Sequence, residues 1–249
     1  MRGAKILQVP KTLSSPSLQA LLCQRFKTAR LRALQEDPSA FSSAYETEAL
    51  FADEIWAKRL LNPASKTFVA VWCCEREEED VESGDQSDID VLVENEWLGM
   101  VVLLGPRTTA ATPPPAAVST TSPSGPKPRF PWSVFLPPND PFSLTDPSRL
   151  HGSEAAYLAV SMFVLREVRR QQLGRKLIEA SVEAVRDEVK ALSATRGNIG
   201  LGVIRENVAA RRLYERLGFE YLPVDDMPKA EGEAVEMGMA RIVEMDAYS

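Results

Sequence analysis

Between Ala155 and Leu192 the hydrophobic pattern changes period once, and that change limits the fold more than any other feature of the chain. Ala155–Val164 is an apolar run of strand length and composition. A turn crowded with Arg and Gln side chains follows. From Leu173 to about Leu192 the apolar residues Ile178, Val182, Val185, Val189 and Leu192 step by four and three, the spacing of one helix face. A strand that passes through a short turn into a long amphipathic helix points to a mixed α/β domain.

The other elements follow from the same two periods. Lys5–Val9 reads as a short strand. Ser15 reads as an N-cap with Pro16 at the first helical position, and the helix runs to about Gln35 with Leu18, Leu22, Phe26, Ala29 and Ala33 at helical spacing. A second helix is predicted over about Glu46 to Leu61, carrying Phe51, Ile55, Trp56 and Leu60. Thr67–Cys74 and Trp97–Leu104 read as paired strands, with Cys73 and Cys74 as strand packing. Asn198–Ile204 is a strand, Asn207–Leu217 a short helix ended by Gly218, and Phe219–Leu222 and Ala234–Ile242 are the last strands. The expected architecture is one α/β (α+β) domain over residues 1–249, a mixed sheet of about seven strands flanked by helices.

Two segments break this pattern. Glu75–Glu96 holds eleven acidic residues and one basic residue, Arg76, for a net of −10. The whole chain carries −6, so everything outside that segment carries +4. The acidic balance therefore belongs to one insertion, residues 75–96, whose first part, Glu75–Asp90, reads as a solvated loop. Such a loop could attract a cationic partner, although solubility is the plainer role. The second insertion, residues 106–150, contains the stretch from Pro106 to Pro147 with twelve of the eighteen prolines. Proline lacks a backbone donor and blocks helix continuation, so no regular element is expected there. Its Phe130, Trp132, Val134, Phe135, Leu136 and Phe142 could still dock on a core, as a lid or a dimer contact.

Several classes of function are set aside by what the chain lacks. No stretch approaches the roughly 20 apolar residues of a membrane span, so no membrane partner is expected. Met1–Pro10 has no long apolar region followed by a cleavage site, so no secretory signal is expected. The three cysteines, Cys23, Cys73 and Cys74, cannot form a disulfide framework. The expectation is a cytoplasmic protein, with the nucleus the other compartment the thiols allow. The one histidine, His151, makes a His-rich metal site untenable, and no metal is expected. No basic surface for nucleic acid is indicated.

Chemistry enters at Met162–Gly174. The turn presents backbone N–H groups and the positive end of a helix dipole, which suit an anionic group such as a pyrophosphate. Arg169 and Arg170 add charge. An ordinary strand-turn-helix link with solvated arginines would look the same from this stretch alone. Downstream, after the next strand, stands Asn207-Val-Ala-Ala-Arg-Arg-Leu-Tyr-Glu-Arg-Leu-Gly-Phe219.

Together the two stretches resemble the GNAT superfamily of acetyl-CoA-dependent N-acetyltransferases. The family's pyrophosphate signature, Arg/Gln-x-x-Gly-x-Gly/Ala, aligns with Arg169, Arg170, Gln171, Gln172, Leu173 and Gly174, with Arg175 next. Its later signature, Asn-x-x-Ala-x-x-Leu-Tyr-x-x-x-Gly-Phe, is matched by Asn207, Ala210, Leu213, Tyr214, Gly218 and Phe219. An early stretch, Ala33-Leu34, Asp37-Pro-Ser-Ala-Phe41, Trp56 and Arg59-Leu60, resembles one branch of the family. The family's first glycine is Gln172 here. If that position needs positive φ, a side chain costs on the order of 1 kcal/mol.

The resemblance implies a GNAT-type, mostly antiparallel sheet and transfer of an acetyl group from acetyl-CoA to a primary amine of a small molecule or peptide, by direct attack. It implies that Phe163, Val164 and Leu165 offer backbone bonds to the pantetheine arm. Arg169 to Arg175, Asn207, Ala210 and Tyr214 then contact the cofactor. Tyr214 stands where the family places the acid for the leaving thiolate; otherwise it is a core tyrosine. Asn207 is a helix N-cap, a cofactor contact or both. The strand glutamate used as a base by several members corresponds to Ala159, Val160 or Ser161 here, and none is a base. Glu46 and Glu48 are the next candidates, although acids near a helix start are common. A water chain and His151 are further options for the base. The expected assembly is a monomer or homodimer. The alternative function is a non-catalytic acyl-CoA-binding module of the same fold. An interaction protein acting through its Pro-rich segment would leave the two signatures unexplained.

Overall fold

The computed structural model describes residues 2–13, 15–74, 84–109, 131–136, 145–223 and 236–244. Seven strands form one sheet: β1 (Arg2–Gln8), β2 (Ser65–Cys74), β3 (Trp97–Thr108), β4 (Glu154–Val164), β5 (Arg196–Ile204), β6 (Glu220–Tyr221) and β7 (Glu236–Val243). Their order across the sheet is β1-β2-β3-β4-β5-β7-β6. Pairing is antiparallel for β1 with β2, β2 with β3, β5 with β7 and β6 with β7. The helices are α1 (Pro16–Glu36), α2 (Tyr45–Glu48), α3 (Asp53–Leu60), α4 (Gly84–Glu94), α5 (Leu173–Ala191) and α6 (Val208–Arg216). Among the described residues no helix is long and apolar enough to cross a membrane.

Chain contacts divide into two compact units. The first contains Met1–Leu104 and Ala159–Glu183. Its core is built from alternate residues of β1, β2 and β3 and from the inner faces of α1 and α3. Leu7, Val9, Leu22, Phe26, Trp56, Leu60, Val69, Val71 and Met100 are all buried there. Phe26 meets Trp56 edge-on, ring centroids 6.0 Å apart. Ridges of this kind, period two from the strands and 3.6 from the helices, are what the sequence pattern encodes.

The second unit contains Gly105–Leu158 and Ala184–Ser249. Here part of the Pro-rich insertion is docked. Pro131 leads a 3-10 turn, Trp132–Val134, and Trp132, Val134 and Phe135 are buried, while Leu136 is exposed. Phe135 lies flat on β5. A Cβ built on Gly200 would stand 2.4 Å from the Phe135 ring, so only glycine allows this approach. Arg107 Nη1 donates to the Phe135 carbonyl at 2.6 Å and fixes the turn's exit. Phe130 and Phe142 lie outside the described residues.

The structure departs from the sequence reading in several places. The helix predicted over Glu46 to Leu61 is two, because Ala52 is extended (φ −63°, ψ 154°) and Asp53 and Glu54 begin a new first turn. Acids favour that position through the helix dipole. The acidic insertion is not all loop, since α4 takes up Gly84–Glu94 and so includes the last seven residues of the Glu75–Asp90 stretch that reads as a solvated loop. There Leu92 is fully buried in the first unit's core, with Val91 and Val93 packed against it. Arg25 holds the end of α4 by donating to the carbonyls of Val93 and Glu94. Residues 75–83 lie outside the described residues. Finally, β3 runs four residues past Leu104, through Pro106, and β2 starts at Ser65 rather than Thr67.

Candidate active site

The first unit presents the turn between β4 and α5. Ser161 interrupts β4 with a left-handed backbone (φ 56°), and the strand from Phe163 then runs close against β3. A Cβ on Gly99 would stand 2.6 Å from the Phe163 carbonyl oxygen, so Gly99 is what lets the two backbones approach. Leu165 N–H donates to the Leu98 carbonyl at 2.8 Å, and the Val164 carbonyl accepts from Arg169 Nε at 3.0 Å. Phe163 and Leu165 are buried and Val164 is half-buried. Two of the backbone groups offered in principle to a pantetheine arm are thus engaged inside the protein.

Beyond Leu165 a short 3-10 turn, Arg166–Val168, leads to two left-handed residues, Arg170 (φ 66°) and Gln172 (φ 61°). Buried Val168 and Leu173 anchor the loop at both ends, while Arg170, Gln171 and Gln172 are exposed. The helical ladder of α5 begins with Lys176 N–H on the Gln172 carbonyl at 3.0 Å. The N–H groups of Leu173, Gly174 and Arg175 precede that bond and have no intrahelical acceptor. Left-handed residues beside a helix start turn successive N–H groups toward one side, a geometry that receives anions. Among the described residues Arg170 makes no ion pair, and Arg175 pairs with Glu179 at 2.6 Å on the helix surface.

Arg169 is held differently from what sequence reading assumed. Besides Val164 it donates from Nη2 to Asp37, at the end of α1. Arg166 Nη2 donates to the other oxygen of Asp37 at 2.8 Å and to the Glu36 carbonyl. Arg32 of α1 reaches Glu167 on the same turn, as well as Glu96 at 2.6 Å. Partial burial works to raise the Asp37 carboxyl, but the hydrogen bonds from Arg166 and Arg169 outweigh it and hold the group below the ordinary carboxylate range. Asp37 and Arg166 were missed as site residues. Asp37 stood in the early motif, but nothing in a sequence says that it faces a turn 129 residues away.

Near Asp37 in sequence, nine residues between Leu34 and Glu46 line a cavity of about 550 Å³. Leu34, Pro38, Phe41, Ala44 and Tyr45 supply apolar wall, and Ser42, Ser43 and the exposed Glu46 supply polar groups. Glu48, two residues on, points inward. Arg30 donates to both of its oxygens, at 2.7 and 3.1 Å, and Arg59 adds a third bond at 2.9 Å. The two guanidinium groups lie over Phe41 (Arg30, 4.8 Å) and over Phe51 (Arg59, 4.7 Å). Burial works to raise the Glu48 carboxyl, and Arg30 and then Arg59 more than offset it, so the group is held below the usual range. A fully ion-paired, buried carboxylate of this kind accepts a proton poorly.

In the second unit, α6 begins with Asn207, whose side-chain oxygen accepts from Ala210 N–H at 3.1 Å. That is an N-cap. Tyr214 is buried, with its ring 5.7 Å from that of Phe219. Burial pushes its phenol well above the ordinary value. His151 is exposed at the strand's entrance.

Comparison with known proteins agrees with this arrangement. Residues 147–221 match the acetyltransferase (GNAT) domain model. That span takes in β4, the Arg-rich turn, α5, β5 and α6. Among solved structures, Arabidopsis thaliana NAA60 in complex with a bisubstrate analogue is 15% identical, with a TM-score of 0.50 over 96% of this chain and 100% of that one. The same protein in complex with acetyl-CoA is 14% identical, with a TM-score of 0.50 over 96% of this chain and 99% of that one. No curated protein matches the chain by sequence. The chain thus carries an acetyltransferase (GNAT) domain match over residues 147–221, set on the GNAT fold.

Proposed function

We propose that the protein is an N-acetyltransferase that moves the acetyl group of acetyl-CoA directly to a primary amine of a small molecule or peptide. One observation carries this reading. The domain match falls on the strand, turn and helix whose left-handed residues and helix-start N–H groups suit an anion. NAA60, a structural neighbour, is known in complex with acetyl-CoA.

In this reading the pyrophosphate lies against Arg169 to Arg175, and the pantetheine arm follows Phe163, Val164 and Leu165. The later signature adds Asn207 and Ala210 as further cofactor contacts of this reading. The acceptor amine enters the cavity beside Glu46. That carboxylate removes the ammonium proton, directly or through water, and the free lone pair attacks the thioester carbonyl. The carbon–sulfur bond breaks, the leaving thiolate takes up a proton, and the nitrogen loses its second proton as the amide forms; the later signature offers Tyr214 as the donor of the thiolate's proton. Burial makes that phenol a weaker acid. Glu48 serves as a buried brace for the cavity wall rather than as the base.

Incubation with acetyl-CoA and a panel of primary amines tests the proposal through release of free CoA thiol. Thiol release that depends on an amine is the expected result. Tight acetyl-CoA binding with no turnover across the panel would instead support the non-catalytic acyl-CoA-binding module. The lack of a base at Ala159, Val160 and Ser161, the left-handed Gln172 at the glycine position and the ion-paired Glu48 are the observations that favour that second reading.

A further inference from the structure

Asp37 belongs to a motif that the acetyl-transfer reading leaves unused, and its surroundings are unusual. One carboxylate receives two guanidinium groups, from Arg166 and Arg169, both on the turn that leads into α5. Exposed ion pairs contribute only about 0–1 kcal/mol each. Arg166 and Arg169 are 60% and 43% exposed, so stability is a poor explanation for the arrangement. Geometry is a better one. The Val164 carbonyl holds Arg169 at Nε and Asp37 holds it at Nη2, which fixes the guanidinium plane. Two of its five N–H donors are engaged and the others remain for an anion. The turn also holds two left-handed side-chain-bearing residues within three positions, a conformation that persists only when its surroundings enforce it.

The same residue stands at the edge of the cavity. Gln35 and Pro38, on either side of the Glu36-Asp37 pair, both line it. The backbone after Asp37 is tied locally, with Ala40 N–H on the Asp37 carbonyl at 2.9 Å and Phe41 N–H on Pro38. Phe41 is itself a wall residue.

We propose that Asp37 is a positioning residue that ties the pyrophosphate turn to the wall of the acceptor cavity, so that a coenzyme bound at the turn also orders the wall. This rests on the acetyl-CoA reading of that turn. A pyrophosphate on Arg169 and Arg170 restrains the turn, Arg169 passes the restraint to Asp37, and Asp37 passes it to residues 38–46. A wall already ordered costs less to close around an amine, which makes the two ligands cooperative without any large movement. By linkage, acceptor and coenzyme tighten each other's binding by the same factor.

Hydrogen exchange on the full chain, with and without saturating CoA, tests this. In the wild-type protein CoA should slow exchange several-fold both in 169–176 and in 39–46. In Asp37→Asn the slowing should persist in 169–176 and disappear in 39–46, while Asp37→Glu, which keeps the carboxylate, should restore it. Asp37→Ser serves as a second neutral variant if the amide perturbs folding. A merely structural role would change exchange in 39–46 equally with and without CoA. A wild-type wall that does not respond to bound CoA, or a response that survives in both neutral variants, overturns the proposal and leaves the acetyl-CoA reading intact. A wild-type protein that binds no CoA, by calorimetry, overturns both.

Discussion

Gln172 shows how much one residue can and cannot disclose. Its place in the turn follows from the signature, and the cost of a side chain there depends on φ, which only the fold sets. At φ 61° the backbone is left-handed, so a side chain is strained by on the order of 1 kcal/mol. Gln172→Gly should relieve that strain, against some gain in unfolded-chain entropy. A net stabilisation of about 0.5 kcal/mol is expected from urea midpoints, with acetyl-CoA affinity unchanged or higher, because the N–H stays. A destabilised glycine variant would mean that the Gln172 side chain makes contacts of its own. Tyr214 is the second test at this scale. Tyr214→Phe keeps the ring that meets Phe219 and removes the phenolic proton. If Tyr214 protonates the thiolate, turnover should fall about 10²–10⁴-fold. Acetyl-CoA affinity should hardly move; wild-type turnover in the variant would assign the proton to another donor.

At the scale of elements, long amphipathic stretches such as α1 and α5 were legible, because a period of 3.6 sustained over several turns has few alternatives. α4 was not. Its acids mask three apolar residues, Val91, Leu92 and Val93, that only a tertiary partner makes decisive. Nor was the break between α2 and α3 visible, since its purpose is to turn Glu48 inward onto Arg30 and Arg59. Removing one partner from a buried pair of this kind costs roughly 3–5 kcal/mol. Glu48→Ala should therefore lose that much at pH 7, read from denaturant midpoints. The sign with pH follows from the depressed carboxyl. Wild-type Glu48 contributes fully above its unfolded value, near 4.3. It loses that contribution as pH falls through the lower folded value. The gap between wild type and variant should narrow on acidification, and a gap that widened would contradict the ion-pair account. The docked part of the Pro-rich insertion makes a parallel case. Phe135 is fully buried on Gly200, so Phe135→Ala should cost about 3–5 kcal/mol, whereas Leu136→Ala, at an exposed position, should stay within about 0.5 kcal/mol.

For the whole molecule, coenzyme binding and catalysis are separate claims and need separate evidence. The fold was legible from two short signatures, one at the turn into α5 and one on α6 between its cap Asn207 and the left-handed Gly218. The acceptor was not, because the cavity proposed for it is walled by residues between Leu34 and Glu46, where ordinary apolar and hydroxyl side chains carry no signature. Binding can be tested on the intact chain without knowing the acceptor. A ligand that binds only the folded state stabilises it by about 2.7 kcal/mol at a hundredfold excess over Kd. For a chain of this length, at roughly 2–4 °C per kcal/mol, that corresponds to a rise in Tm of about 5–10 °C. Acetyl-CoA should produce such a rise in the wild-type protein, growing with the logarithm of its concentration. Gly174→Glu, which places a carboxylate at the helix start proposed to receive the pyrophosphate, should abolish the rise while leaving the unliganded Tm nearly the same. Gly174 is only half-buried, so the substitution has room at the surface. If the variant's Tm still climbs with acetyl-CoA as the wild type's does, the pyrophosphate does not lie at this turn, and the cofactor contacts assigned to Arg169–Arg175 must be sought elsewhere on the sheet.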